Sequence, residues 1–375
     1  MTGILTALCA AAVLAQPPAW FAEAEVCSGW YRQWTDEAIA DMRGLPFVIG
    51  VPPDALVIAK AHEQGTRVLA YVTFYQMPAV GEYQRANLAE HRDWNVIGAD
   101  GSETDSVFAS TENPGWKAVC PNSPAFRDFA LEHVRYLVSQ GVDGLFIDNA
   151  HPSALCEGPK YGRHEHLYAG EDNIRAYRCL LEEIQAELSA DGKRRALIVN
   201  PGEPRPEWAG ACDSQMLESY ICTWASKTRW HDEGRILAFQ KSWGDTPVLA
   251  LSYIGHTANP PREDAFWCYA WARMSGFLWA DWFTAKDTAR ELYTLRLGRP
   301  VSEMSLKDGV YSRRFEKGVV AAAGESEGGT LKVAAAEGKR AVDVFSGRGL
   351  EPDAGGVVTL AIEKGRARVV VFVDE

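Results

Sequence analysis

No two cysteines in this chain stand two residues apart, and neither a His-Glu-x-x-His pattern nor a Walker phosphate loop occurs. The first absence removes the compact zinc and iron–sulfur frameworks. The others remove the helix-borne metalloprotease site and the P-loop nucleotide site. Basic residues are also scarce: 38 Lys and Arg stand against 50 Asp and Glu, for a net charge of −12. A nucleic-acid binder needs a basic face to neutralise phosphates, so that class is excluded. No apolar run is long enough to cross a bilayer, so no membrane partner is expected. With 47% hydrophobic and 23% charged residues, the composition is that of a globular protein.

The longest apolar stretch runs from Ile4 to Ala15. It is too short for a membrane helix and reads as a secretory signal over residues 1–15, with Val13 and Ala15 as the small residues before the cut. No Lys or Arg precedes it. The reading implies a secreted or periplasmic protein. Eight cysteines, less Cys9 in the signal, leave seven. Export permits disulfides, and an odd number leaves at least one cysteine unpaired within the chain.

What is present is a repeated phrase of apolar run, polar turn and amphipathic helix, the mark of parallel βα units. Eight strands are expected, at 47–51, 67–74, 117–120, 144–148, 196–200, 215–218, 247–252 and 276–279. Before the fourth, apolar residues at Phe126, Phe129, Ala130, Val134, Leu137 and Val138 form a helical stripe. Ser123 suits its N-cap, Pro124 its first position and Gly141 its end. Eight units with no glycine-rich loop after the first strand favour a (β/α)8 barrel over a doubly wound sheet. The barrel is expected over residues 16–299. Beyond it, short strands between glycine-rich turns at 300–375 read as an antiparallel β-sandwich of six or seven strands, so the fold class is α/β with a small β-domain.

In such a barrel, chemistry sits at the C-terminal ends of the strands. Asp143 and Asp148 bracket the fourth strand and lie about 16 Å apart along it, so they cannot share a site. Asp148 is at the exit and is the functional candidate. Asp213 and Glu218 bracket the sixth strand in the same way. Strands four and six are about 10 Å apart, with one strand between them. Carboxylates leaning inward from both can approach the roughly 5–5.5 Å used by retaining glycosidases. Asp148 is therefore the expected nucleophile and Glu218 the expected acid/base. Glu203, just past strand five, is the alternative acid.

Tyr71, Tyr75, Asn149, Asn200, Tyr220, His256 and Asp281 fall at strand exits and are candidate substrate contacts. Thirteen tryptophans is a high count. Most large aromatics fill cores, but indoles also stack on sugar rings, and Trp224, Trp279 and Trp282 are candidate platforms. His164 and His166 lie in a loop after strand four, where a polar lid is expected rather than a metal. No cofactor and no metal are expected. Carbohydrate is the expected partner, and nothing indicates the oligomeric state.

The stretch Cys120-Pro-Asn-Ser-Pro, a helix, then Gly141-Val-Asp-Gly-Leu-Phe-Ile-Asp148-Asn149 resembles the strand-three to strand-four passage of the α-glycosidase-type barrels. That group includes α-galactosidases, dextranases and many uncharacterised glycoside hydrolases. The resemblance implies an Asp nucleophile at Asp148 and an acid/base at Glu218, where the α-galactosidase-like branch usually has Asp. It also implies α-linked substrates and retention. The Arg that α-amylases carry two residues before the nucleophile is replaced by Phe146, which argues against a true α-amylase. Two rival readings remain: a secreted carbohydrate-binding barrel without catalysis, and a polygalactosaminidase-like enzyme on a cationic exopolysaccharide, which the net acidity suits.

Overall fold

The computed structural model describes residues 16–31, 34–50, 54–77, 90–106, 109, 115–151, 155–168, 173–222, 232–244, 246–254, 261–282 and 285–374. The expected signal at 1–15 lies outside the described residues. A short helix α1 (Ala19–Ala22) leads into strand β1 (Val26–Tyr31), followed by α2 (Asp36–Asp41), β2 (Phe47–Gly50), α3 (Ala55–Glu63) and β3 (Arg67–Val72). A long excursion then carries β4 (Gln76–Met77) and β5 (Lys117–Ala118). After it come α4 (Pro124–Gln140), β6 (Gly144–Ile147), α5 (Asn173–Leu188), β7 (Ala196–Val199) and β8 (Ser214–Leu217). The barrel part ends with α6 (Glu233–Trp243), β9 (Val248–Leu251), α7 (Arg262–Met274), β10 (Leu278–Asp281) and α8 (Glu291–Thr294). The strands close into one barrel in the order β1-β10-β9-β8-β7-β6-β3-β2. Among the described residues, no helix is long and apolar enough to cross a membrane.

One expected strand is wrong. Residues 117–120 do not enter the barrel. β5 pairs antiparallel with β4 instead, Gln76 opposite Ala118 and Met77 opposite Lys117. The missing place is filled by β1, which the sequence pattern does not reveal. It contains Ser28 and Gly29, and its register against β2 shifts between Gly29 and Tyr31, so no clean apolar run marks it. The substitution leaves the count intact: β6 is still the fourth barrel strand along the chain and β8 the sixth.

Two compact units divide the chain, one comprising Met1–Ala19 with Leu69–Asp213, the other Trp20–Val68 with Ser214–Glu375. In the first, β6 is flanked by β3 and β7, with Leu69 and Ala196 both opposite Gly144. A Cβ at Gly144 would collide with the Ala196 carbonyl oxygen, so this position needs a glycine for space. The helix that feeds β6 has the caps its sequence suggests. Ser123 accepts from the Phe126 N–H at 3.5 Å, Pro124 opens the helix, and Gly141 ends it with φ at 98°.

In the second unit β1 is paired on both edges, Val26 with Trp279 of β10 and Ser28 with Val48 of β2. The buried Glu25 anchors its start. Its carboxylate accepts from the N–H groups of Leu297 (3.0 Å) and Gly298 (2.7 Å) and faces Arg273 at 3.5 Å. Every residue of α7 from Ala265 to Met274 is buried. Such a helix must be covered all round. It packs on β10 of the barrel and on β13 (Gly318–Ala323) and β18 (Ala367–Asp374) of the C-terminal domain.

That domain also contains β11 (Ser305–Lys307), β12 (Val310–Phe315), β14 (Gly329–Ala334), β15 (Lys339–Asp343), β16 (Arg348–Leu350) and β17 (Val357–Ile362). One sheet has the order β11-β12-β13-β18-β15-β16, and β14 pairs with β17 in a second. Val319, Ala321, Val370 and Phe372 of the first share a core with Leu331, Val333, Val358 and Ile362 of the second. This is the two-layered antiparallel arrangement expected for the C-terminal segment, with eight strands rather than six or seven.

Gly144→Ala is expected to cost about 1–3 kcal/mol through forced separation of β6 and β7. Gly29→Ala, where an added Cβ meets nothing within 4 Å, is the control. Urea unfolding of both variants checks this, since comparable losses in the two would show that the Ala196 carbonyl is not the constraint.

Candidate active site

In the first unit the exit of β6 delivers Asp148, half-buried, with its N–H bonded to the Val72 carbonyl at the exit of β3 (2.8 Å). Among the described residues, three side-chain donors reach its carboxylate. The Tyr71 hydroxyl donates to Oδ2 at 2.6 Å, Asn149 Nδ2 donates to the same oxygen at 3.2 Å, and Asn200 Nδ2 donates to Oδ1 at 2.8 Å. Donors aimed at a carboxylate favour its charged form. Each comes from a strand end: Tyr71 from β3, Asn149 from β6 and Asn200 from β7. Asn200 also ties the two exits through its backbone, donating to Ile147 O (2.8 Å) and accepting from the Ala150 N–H (2.7 Å). Tyr71 stacks on Phe146, ring centroids 5.9 Å apart. The Phe that replaces the α-amylase Arg thus holds the tyrosine that holds Asp148. Tyr75 packs edge-on against Tyr177, whose phenol is pushed well above its ordinary range by burial first, then by Tyr75 and Asp148.

In the second unit the exit of β8 delivers Glu218, also half-buried. The Tyr253 hydroxyl donates to its Oε1. Tyr253 packs in turn against Trp282, centroids 5.2 Å apart at 67°. Tyr253 was not anticipated from sequence. It stands two residues beyond β9, so the same strand-exit rule that selects Asp148 reaches it.

Backbone strain marks both exits. Among the described residues four non-glycines have positive φ: Asn149 (53°), Ser219 (62°), Ile221 (66°) and Asp308 (49°). Asn149 directly follows Asp148 and Ser219 directly follows Glu218. A β-branched residue such as Ile221 is a true outlier there. Such conformations cost about 1–3 kcal/mol each and gather at functional sites.

Several expected contacts lie elsewhere. Trp279 is fully buried between Tyr269 and Tyr293 and offers no face to a sugar. Tyr220 is fully buried as well, edge-on to Phe277 with its hydroxyl 3.4 Å from that of Ser275. Asp281 is also fully buried, and its Oδ2 accepts from the Tyr293 hydroxyl (2.6 Å) and the Ala285 N–H (3.3 Å), so it secures the chain after β10. For these three, core packing outcompetes the strand-exit rule because the residues point into the protein. Glu203 is 68% exposed and paired with Arg205 at 2.8 Å, in contrast to the enclosed Asp148 and Glu218. Trp224 and His256 lie outside the described residues. Gly324-Glu-Ser-Glu-Gly328 has the spacing of a hydrolase nucleophile elbow, but it joins the antiparallel strands β13 and β14 rather than a strand and a helix.

The first unit also gathers His164 and His166 with two cysteines that the sequence does not link to them. Cys120, Cys156, His164 and His166 each place a ligand atom within 4.8 Å of all the others. His164 and His166, where a polar lid is expected, each place Nε2 against a cysteine sulfur. The two thiols perturb each other in opposite directions, Cys156 held down by its hydrogen bond with Cys120, Cys120 pushed up by burial. Cys27, Cys120, Cys156, Cys222 and Cys268 are thiols not joined in disulfides. Cys222 and Cys268 also touch, their sulfurs 3.6 Å apart.

Comparison with known proteins places this architecture. Three solved structures share the fold. The α-amylase of Geobacillus thermoleovorans, complexed with acarbose, has a TM-score of 0.57 at 10% identity, covering 94% of this chain and 99% of that one. The Anoxybacillus α-amylase has 0.53 at 11%, covering 90% and 89%. The α-amylase from H. orenii has 0.52 at 15%, covering 91% and 93%. At these identities the likeness is one of fold alone. No curated protein matches the sequence. Residues 60–319 match the family described as hypothetical glycosyl hydrolase family 15, which is well over half of the chain. The chain belongs to that hypothetical glycosyl hydrolase family 15 and is, by that membership, a glycoside hydrolase.

Proposed function

We propose that the chain is an exported enzyme that hydrolyses α-linked glycosidic bonds with retention, Asp148 acting as nucleophile and Glu218 as acid/base. The observation that carries this reading is the carboxylate of Asp148, half-buried at the exit of the fourth barrel strand and held by three donors. Donors so placed favour the charged form of the carboxylate and fix its direction, as a nucleophile requires. Glu218, at the exit of the sixth strand, accepts from the Tyr253 hydroxyl on Oε1. In the first step a carboxylate oxygen of Asp148 bonds to the anomeric carbon while the glycosidic oxygen departs with the proton of Glu218. In the second, Glu218 takes a proton from water, the hydroxide bonds to the anomeric carbon, and the ester to Asp148 breaks. α-Linkage rests on the family resemblance of the Gly141–Asn149 passage. Export rests on residues 1–15. Tyr71, Tyr75 and Asn200 act on Asp148 or its surroundings, and Trp282 is the remaining described indole for stacking on sugar. The net charge of −12 favours a second substrate reading, a polymer of cationic amino sugars.

Hydrolysis of aryl α- and β-glycosides, neutral glucans and galactans, and galactosamine and chitosan-like polymers by wild type and two variants tests this. Asp148→Asn is expected to be inactive on every substrate. Glu218→Gln is expected to lose about 10²–10⁴-fold on natural linkages, yet to keep activity on aryl glycosides whose leaving group needs no proton. If Glu218→Gln is indistinguishable from wild type, Glu203 takes over as acid. Binding of a glycan without turnover of any substrate would instead favour the non-catalytic barrel.

Tyr71→Phe removes one of the three donors. With the charged form of Asp148 less stabilised, the acid limb of the kcat/KM profile is expected to move to higher pH. An unchanged limb with a uniformly lower rate would assign Tyr71 to substrate contact instead.

A further inference from the structure

The four donors near the Asp148 loop come from separate pieces of chain. Cys120 lies between β5 and the N-cap of α4, its N–H donating to the Trp94 carbonyl at 2.7 Å. Cys156 follows β6, and its sulfur accepts from the Ile97 N–H at 3.4 Å. His164 and His166 lie further along the same loop, with ring centroids 5.3 Å apart. His164 Nε2 stands 3.4 Å from the Cys156 sulfur and His166 Nε2 stands 3.6 Å from the Cys120 sulfur. Both cysteines are fully buried, and the histidines are half-buried.

These distances carry chemical information. Zinc–sulfur bonds of about 2.3 Å and zinc–nitrogen bonds of about 2.0–2.1 Å, set at the tetrahedral angle, put sulfur and nitrogen about 3.5–3.6 Å apart. The two measured sulfur–nitrogen separations match the edges of that tetrahedron. The close approach of His164 also depends on Gly158, since a Cβ there would stand 2.5 Å from the ring Cε1 and Nε2. Gly158 has φ of −46°, so backbone freedom does not explain the glycine, whereas space for the imidazole does.

We propose that Cys120, Cys156, His164 and His166 form a structural Cys2His2 zinc site. Two thiolates and two neutral imidazoles make an uncharged, closed, four-coordinate complex of the kind zinc takes when it holds chain together rather than activates water. Both thiols lose their protons on binding. The site ties two segments of the first unit, the turn before α4 and the loop after Asp148, and the strip through Ile97 is bonded to that loop. Hydrogen bonds already lace them, with the Glu157 N–H donating to Ile97 O at 2.8 Å, the Leu167 N–H to Asn122 O at 3.0 Å, and the Tyr168 N–H to Asn122 Oδ1 at 2.8 Å. Zinc is the covalent anchor of this lacing. It fixes the course of the loop that leaves the exit of β6.

The rival occupant is a disulfide between Cys120 and Cys156, which export would permit. Metal analysis of the full chain, produced with zinc and purified without chelator, separates the two. About one zinc per chain is expected, lost in Cys120→Ser and Cys156→Ser. His166→Cys, which preserves four ligands, is expected to retain it. Cobalt(II) exchanged into the site is expected to give the intense visible bands of tetrahedral coordination and a near-ultraviolet thiolate charge-transfer band, stronger in His166→Cys. A merely structural defect would not strengthen that band. Gly158→Ala, which alters no ligand, is expected to lose zinc faster to a competing chelator. Removing the metal is expected to lower the unfolding temperature, with recovery on adding zinc but not magnesium. A metal-free protein with an intact Cys120–Cys156 disulfide by mass spectrometry would overturn the proposal, as would a colourless cobalt form. Neither readout depends on glycosidase activity, so failure here leaves the assignment of Asp148 and Glu218 standing.

Discussion

A parallel barrel has no free edge, and every strand must find hydrogen-bond partners on both sides. Everything else in this fold depends on meeting that requirement with β1. The strand is short and interrupted by Ser28 and Gly29, yet it pairs with β10 on one side and β2 on the other. Glu25 secures it. A buried carboxylate is costly unless its oxygens are engaged, and here two backbone N–H groups from Leu297 and Gly298 and the Arg273 guanidinium engage them. The same bonds fix the chain between the barrel and the C-terminal sheets. Barrel closure and attachment of the second domain therefore share one anchor. α7 extends the arrangement, buried from Ala265 to Met274 because β10 covers one side and β13 and β18 another.

In parallel barrels chemistry sits just past the C-terminal ends of the strands, so a polar residue at a strand exit is a candidate for it. Asp148 and Glu218 meet that condition. What separates them from other acids is their treatment after the strand. Each is followed by a residue in a left-handed conformation, Asn149 and Ser219, and each carboxylate is gripped by a tyrosine hydroxyl from another strand exit. Asp281 also ends a barrel strand, but Tyr293 and the Ala285 N–H enclose it within the protein. Position at a strand exit is thus necessary for a site residue but does not suffice.

The Cys2His2 cluster shows a different logic. Its ligands lie outside the barrel ladder, Cys120 just after the small antiparallel pair of β4 and β5, the other three in the loop that follows β6. Cross-links between segments distant along the chain fix one against the other. The cluster lies on the segment that continues from Asp148, so order in the loop and direction of the candidate nucleophile belong to one structural problem.

Much of this was legible in the sequence because it is written locally. The caps of α4 at Ser123, Pro124 and Gly141, the apolar run of β6 and the five-residue spacing from Asp143 to Asp148 each involve neighbours along the chain. Side-chain periodicity and cap chemistry report such neighbours directly. Strand order along the chain likewise placed Asp148 and Glu218 at strand exits. The tertiary structure decided whatever depends on distant partners. It admitted β1 to the barrel in place of 117–120, because edge pairing rather than apolar pattern selects a barrel strand. It enclosed Trp279, Tyr220 and Asp281, because inward and outward are properties of the packed fold. It gathered Cys120, Cys156, His164 and His166, whose spacing along the chain matches no metal motif, because ligand geometry is set in space and only incidentally in sequence.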